Sequence, residues 1–336
     1  MRRDIARTIR RGTGVALAGT LAVAALVVPA APASADTTIT ANEQTFYGYY
    51  RLDAIHSSGY TGEGVTIALV DGPINTQIPE LAGARIQSYS PCAVDSQDKS
   101  WDHGTVIAQV ISSPQFGVAP GANLRAYTLS FAGETTGSDC ALGQWGRGYS
   151  DLALLIEDAL NDGVDVITTS SSYPSDYEGM RWALARAIAS KVPVVACVGN
   201  DSTSNSTDWL PAWGGVVGVG AIETNGRPSD YQNWGRPLST AALARPLARS
   251  GVSQERGEWW GTSFASPVVA GSLALSMQRW PRATGNQIMQ GLARTGVGGN
   301  GGEWNQYTGY GALDIYAMLT TNPTSFPDEN PFMDKG

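Results

Sequence analysis

Apolar positions along this chain gather into short, β-rich runs: "GVTIALVDG", "NLRAYTLSF", "GVDVITTSS", "VPVVACVGN" and "GVVGVGAI". Between them, residues 150–161 and 179–190 carry apolar side chains at helical spacing, which predicts two helices. "WDHGTVIAQVI" places a further helix-like run behind His103, and "GTSFASPVVAG" opens another. Near-continuous apolar strands that alternate with helices describe parallel strands covered on both faces. The expected fold class is therefore α/β, a doubly wound, mostly parallel sheet with helices on both faces. Ligands of such sheets lie just beyond the carboxyl ends of the strands, so the polar residues that close the strands are the ones to examine.

The beginning of the chain reads differently. Arg2, Arg3, Arg7, Arg10 and Arg11 precede an apolar run from Val15 to Val28, and small residues follow at Ala33 and Ala35. That order is the pattern of a secretory signal peptide over residues 1–35, and the run is too short to span a bilayer. The expectation is a secreted, extracellular chain with no stable membrane insertion. Removing these residues takes the net charge from −8 to about −12, which disfavours nucleic acid as a partner. No linker or repeat divides the rest. We expect a short segment at 36–44, one domain at 45–318, a polar tail at 319–336 and a monomer. Cys92, Cys140 and Cys197 are the only cysteines. Cys197 lies in an apolar strand and the other two in polar, loop-like sequence, so the expected bridge is Cys92–Cys140. No spacing resembles a metal site, and no cofactor is implied.

The first strand closes on Asp71, which alone reads more readily as a turn cap than as a functional residue. It has company. His103 is one of only two histidines, and the other, His56, sits in polar sequence. A serine becomes a nucleophile when a neighbouring base takes its proton and a third group orients that base. Ser263, His103 and Asp71 supply those three chemistries, and Gly261 would let a substrate approach the backbone where a helix begins. Asn200, closing "VVACVGN", is either a turn asparagine or a donor for an oxyanion.

"LVDG", "DHGT", "GVAPGANLRAYTL", "VVACVGN", "GTSFASPVVAG" and "GYGALD" stand in the order found in the subtilisin-like serine proteases, and residues 45–318 resemble that family. The resemblance implies Asp71 as orienter, His103 as general base and acid, Ser263 as nucleophile and Asn200 as oxyanion donor. It implies a polypeptide substrate extended along Ser130, Phe131, Ala132 and Gly133 on one side and Thr169, Ser170, Ser171 and Ser172 on the other, paired like an added strand. Leu210-Pro211-Ala212 resembles the family segment that often carries a cis proline. The chain also departs from the pattern. Gly72 follows Asp71 where threonine or serine is usual, Val106 replaces a histidine, and "TTSSSY" replaces the usual lining of the main specificity pocket. The stretch between His103 and "GVAPGA" is short for the loop that holds a tight calcium in many relatives. The function this implies is a secreted serine endopeptidase. A catalytically silent peptide-binding module and a peptide ligase or cyclase are the alternatives.

Overall fold

The computed structural model describes residues 38–90, 93–131, 134–136, 151–170, 178–204, 209–243, 245–298 and 303–334. Its strands are β1 (Thr66–Asp71), β2 (Ile86–Tyr89), β3 (Val94–Asp95), β4 (Asn123–Thr128), β5 (Thr135–Thr136), β6 (Val166–Thr169), β7 (Val194–Cys197), β8 (Val217–Ile222), β9 (Thr240–Leu243), β10 (Leu247–Arg249) and β11 (Arg256–Glu258). Its helices are α1 (Thr45–Tyr49), α2 (Leu52–Ser57), α3 (Asp98–Ser112), α4 (Asp151–Asn161), α5 (Glu178–Ala189), α6 (Ala265–Arg279), α7 (Gly285–Thr295) and α8 (Ile315–Thr320).

Seven strands form one parallel sheet in the order β2-β4-β1-β6-β7-β8-β9. The apolar runs of the sequence become its five central strands. Along β1 the side chains alternate between two cores: Ile67 and Leu69 join one with α3 and α6, Ala68 and Val70 the other with α4 and α5. That alternation is the reason the strand reads as continuously apolar. β2 escaped the sequence reading because three of its four residues are exposed. β9, "TAAL", is fully buried but too short and too small in its side chains to stand out.

The strand order reverses at β1, whose neighbours are β4 on one side and β6 on the other. A crevice forms at such a point. Register makes its rim level: Asp71 pairs with Thr128, Val70 pairs with Thr169, and the Leu129 amide donates to the Asp71 carbonyl at 2.8 Å. The residues just past β4 and β6, Ser130 with Phe131 and Ser170, therefore flank Asp71.

Helix α6 runs through the larger core, and every residue from Ala265 to Ser276 is buried. Its small residues allow close packing; a Cβ at Gly271 would sit 2.8 Å from the Val118 side chain. Pro267 falls in the first turn, where a backbone N–H has no partner within the helix, so the proline costs no hydrogen bond. The peptide before Pro211 is trans, against the expectation of a cis bond, and Pro211 opens a 3₁₀ turn at Leu210–Ala212.

Both ends of the described chain are fastened to the body. Ile39 is buried and its amide donates to Glu80 Oε1 at 3.0 Å. Glu80 and Arg249 form a buried, two-point ion pair, 2.7 Å from Nε to Oε2 and 3.0 Å from Nη2 to Oε1. Near the other end, Phe332 is fully buried and its carbonyl accepts from the Gly215 amide at 2.8 Å. Among the described residues no helix is long and apolar enough to cross a membrane.

Candidate active site

Asp71 ends β1 with its side chain fully buried, and its Oδ1 lies 2.7 Å from Nδ1 of His103, whose side chain is 25% exposed. A carboxylate only accepts, so the imidazole carries its proton on Nδ1 and offers Nε2 to the crevice. The same oxygen accepts from the Gly72 amide at 2.7 Å, whereas Oδ2 is buried without a partner among the described residues. Burial alone would lower the His103 pKa. The charge of Asp71 and its hydrogen bond outweigh that effect and hold the pKa above the ordinary histidine value. Sequence reasoning puts His103 ahead of a helix; it lies inside α3, in the second turn.

Gly72 explains one departure from the family pattern. A Cβ there would lie 2.0 Å from the carbonyl oxygen of Ser100 in the first turn of α3. The strand end and the helix that carries His103 meet backbone to backbone, and only glycine fits.

Ser263 sits in a 3₁₀ turn, Thr262–Phe264, that leads directly into α6. Its neighbour Phe264 packs near the imidazole with ring centroids 5.6 Å apart, and Phe131 stands edge-to-face with the same ring at 6.3 Å. Among the described residues the Ser263 hydroxyl donates to the Ser170 carbonyl at 3.3 Å rather than to His103. Catalytic hydrogen bonds are often long or poorly aligned without substrate. Ser170 in turn donates through Oγ to the Ser263 carbonyl at 2.7 Å.

Asn200 follows β7, exposed at the crevice. Its Oδ1 accepts from the Thr262 amide at 2.8 Å and from the Thr262 hydroxyl at 3.0 Å, and Thr262 Oγ1 accepts from the Gly199 amide at 3.1 Å. With the oxygen engaged, Nδ2 turns to Gly261: a Cβ on that residue would lie 3.2 Å away. Gly261 has φ 133, a backbone conformation that favours glycine for a second, independent reason.

Of the expected substrate contacts, Ser130, Phe131, Thr169 and Ser170 lie at this rim, while Ala132, Gly133, Ser171 and Ser172 fall outside the described residues. So do Cys92 and Cys140. Cys197 is a buried thiol whose Sγ lies 3.2 Å from the Ser170 carbonyl. His56 has a structural part: its Nε2 is 3.0 Å from the Val118 carbonyl. Sequence reasoning missed Thr262, although it stands within the "GTS" motif, because its value lies in contacts across 62 and 63 residues.

The sequence pattern of the subtilase family matches residues 62–311. The chain belongs to the subtilase family. It is 30% identical to subtilisin E of Bacillus subtilis over 276 residues, 80% of this chain and 68% of that one. It is 31% identical to subtilisin BL of Lederbergia lenta over 248 residues, 72% of this chain and 87% of the relative. Among solved structures, this subtilase resembles MycP1 with its N-terminal propeptide removed, at a TM-score of 0.67 and 23% identity, over 85% of this chain and 99% of the other. It also resembles the PatG macrocyclase in complex with peptide, at 0.66 and 19%, over 80% and 94%. Both likenesses are of fold. At the level of the family, the subtilase membership carries serine peptidase activity.

Proposed function

We propose that this subtilase is a secreted serine endopeptidase that cleaves peptide bonds through an acyl-enzyme on Ser263. The observation that carries the reading is the 2.7 Å contact between buried Asp71 and partly exposed His103, at the mouth of the sheet and beside the turn that bears Ser263. Asp71 keeps the Nδ1 proton in place, so Nε2 is the base that takes the Ser263 proton as Oγ bonds to the substrate carbonyl carbon. The carbonyl oxygen gains charge and is met by Asn200 Nδ2 and the Ser263 amide, at the positive end of the α6 entry. His103 then hands its proton to the leaving amine as the C–N bond breaks. Water repeats the sequence and frees the enzyme.

A polypeptide substrate lies extended in this reading, its backbone pairing with the stretches past β4 and β6. Export would remove residues 1–35, and oxidation outside the cell would join Cys92 to Cys140. The likeness to a macrocyclase favours a second reading, in which an amine resolves the acyl-enzyme in place of water.

Labelling with a fluorophosphonate tests the proposal. Folded protein is expected to carry one adduct, on Ser263, and to hydrolyse peptides. An unlabelled Ser263 overturns the peptidase, and a cyclic or ligated product from a peptide with a free amine would favour the second reading.

A further inference from the structure

Glu134 lies just past the rim, in a position the mechanism leaves unused. Its Oε2 accepts from the Phe131 amide at 2.9 Å. Its Oε1 accepts from the Gln97 amide at 2.8 Å and from the Ser100 hydroxyl. Gln97 is the N-cap of α3, and its own side chain makes no capping bond. A carboxylate from 37 residues away thus satisfies the amide of the N-cap residue, as the acidic member of a capping box does, at the end of the helix where negative charge is favoured.

The three donors belong to two parts of the crevice. Phe131 continues the stretch beyond β4 and stands edge-on to His103. Ser100 and Gln97 begin the helix that carries His103, and the Ser100 carbonyl rests on Gly72 beside Asp71. Directly after Glu134, β5 pairs antiparallel with β3, which leads into α3. The ribbon brings the two parts near one another, and the carboxylate sets their spacing.

We propose that Glu134 is a positioning residue for substrate, holding the backbone at Phe131 in register with the helix of His103. The inference rests on the peptidase reading and names how that site aligns an extended peptide. Only a carboxylate meets the demand. Three donors face two acceptor oxygens, and a glutamine would turn an NH2 group toward at least one of those donors.

Glu134→Gln tests this, with Ser100→Ala as a milder variant that removes one of the three donors. Wild type and both variants are compared for folding by circular dichroism, for kinetics on a tetrapeptide amide, and for the rate of Ser263 labelling by a small fluorophosphonate. Glu134→Gln is expected to raise KM for the tetrapeptide about tenfold and to leave the labelling rate within about twofold, since the small probe does not reach along Phe131. Ser100→Ala is expected to move KM in the same direction by less, and it carries the test if Glu134→Gln does not fold. Unchanged KM in a folded variant overturns the inference, and so does an equal loss toward peptide and probe. Wild-type protein that takes no label defeats the peptidase reading itself, a separate outcome.

Discussion

The side-chain oxygen of Asn200 is held twice by Thr262, through its amide at 2.8 Å and its hydroxyl at 3.0 Å. The amide nitrogen of Asn200 is thereby aimed before substrate arrives, and aim of that kind is what electrostatic catalysis requires. Asn200→Ala is expected to lower kcat by about 10²–10³ with KM little changed. Thr262→Val keeps the backbone bond and loses the hydroxyl, so a smaller loss, about tenfold, is expected, again in kcat. Steady-state kinetics on one peptide substrate check both, and a change confined to KM would contradict the assignment.

The Asp71–His103 pair predicts opposite pH trends for activity and stability. In the proposed mechanism activity needs neutral His103, and its raised pKa then puts the acid limb of kcat/KM above the ordinary value of about 6.5. Stability runs the other way. A histidine whose pKa is higher folded than unfolded contributes fully below the unfolded value and loses that contribution as pH rises through the folded one. The stability gap between wild type and His103→Gln is therefore expected to be widest below about pH 6.5 and to shrink above it. Denaturant titrations across that range measure the gap.

Gly72→Ser restores the residue type usual in the family, and here it is expected to harm. The added Cβ would meet the Ser100 carbonyl at 2.0 Å, so strand and helix must separate. A loss of about 1–3 kcal/mol is expected from such overpacking, with a fall in kcat as His103 shifts. A melting temperature equal to that of wild type would show that the helix yields freely.

The Glu80–Arg249 pair has both side chains buried. Glu80→Ala strands a guanidinium in the core and is expected to cost about 3–5 kcal/mol, read from urea unfolding. Replacing both residues by methionine removes the stranded charge as well. That double variant is expected to recover most of the loss.

The sheet was legible in the sequence where a doubly covered strand carries a run of large apolar residues, as at "GVTIALVDG", and not at β9, which is as buried but short and small in its side chains. The same logic hid β2, an edge strand with exposed side chains, whose place depends on its partner β4. Asp71 and Asn200 stood out where apolar strands close, Ser263 where a helix-like run opens, and His103 as one of only two histidines. Thr262 and Glu134 did not, since each acts through partners distant in the chain, and Ser170, expected only as a substrate contact, also donates to the Ser263 carbonyl 93 residues away. Gly72 was visible only as an oddity, and its reason is the carbonyl packed against it.

Helix α6 is buried along Ala265–Ser276, with the Ser263 turn at its mouth. The serine proposed as nucleophile is thus mounted on a buried element, of the kind that opens last, while exposed rims breathe more readily. On slow heating, loss of hydrolysis at the serine itself should coincide with cooperative melting, leaving little interval in which an intact body has already gone silent.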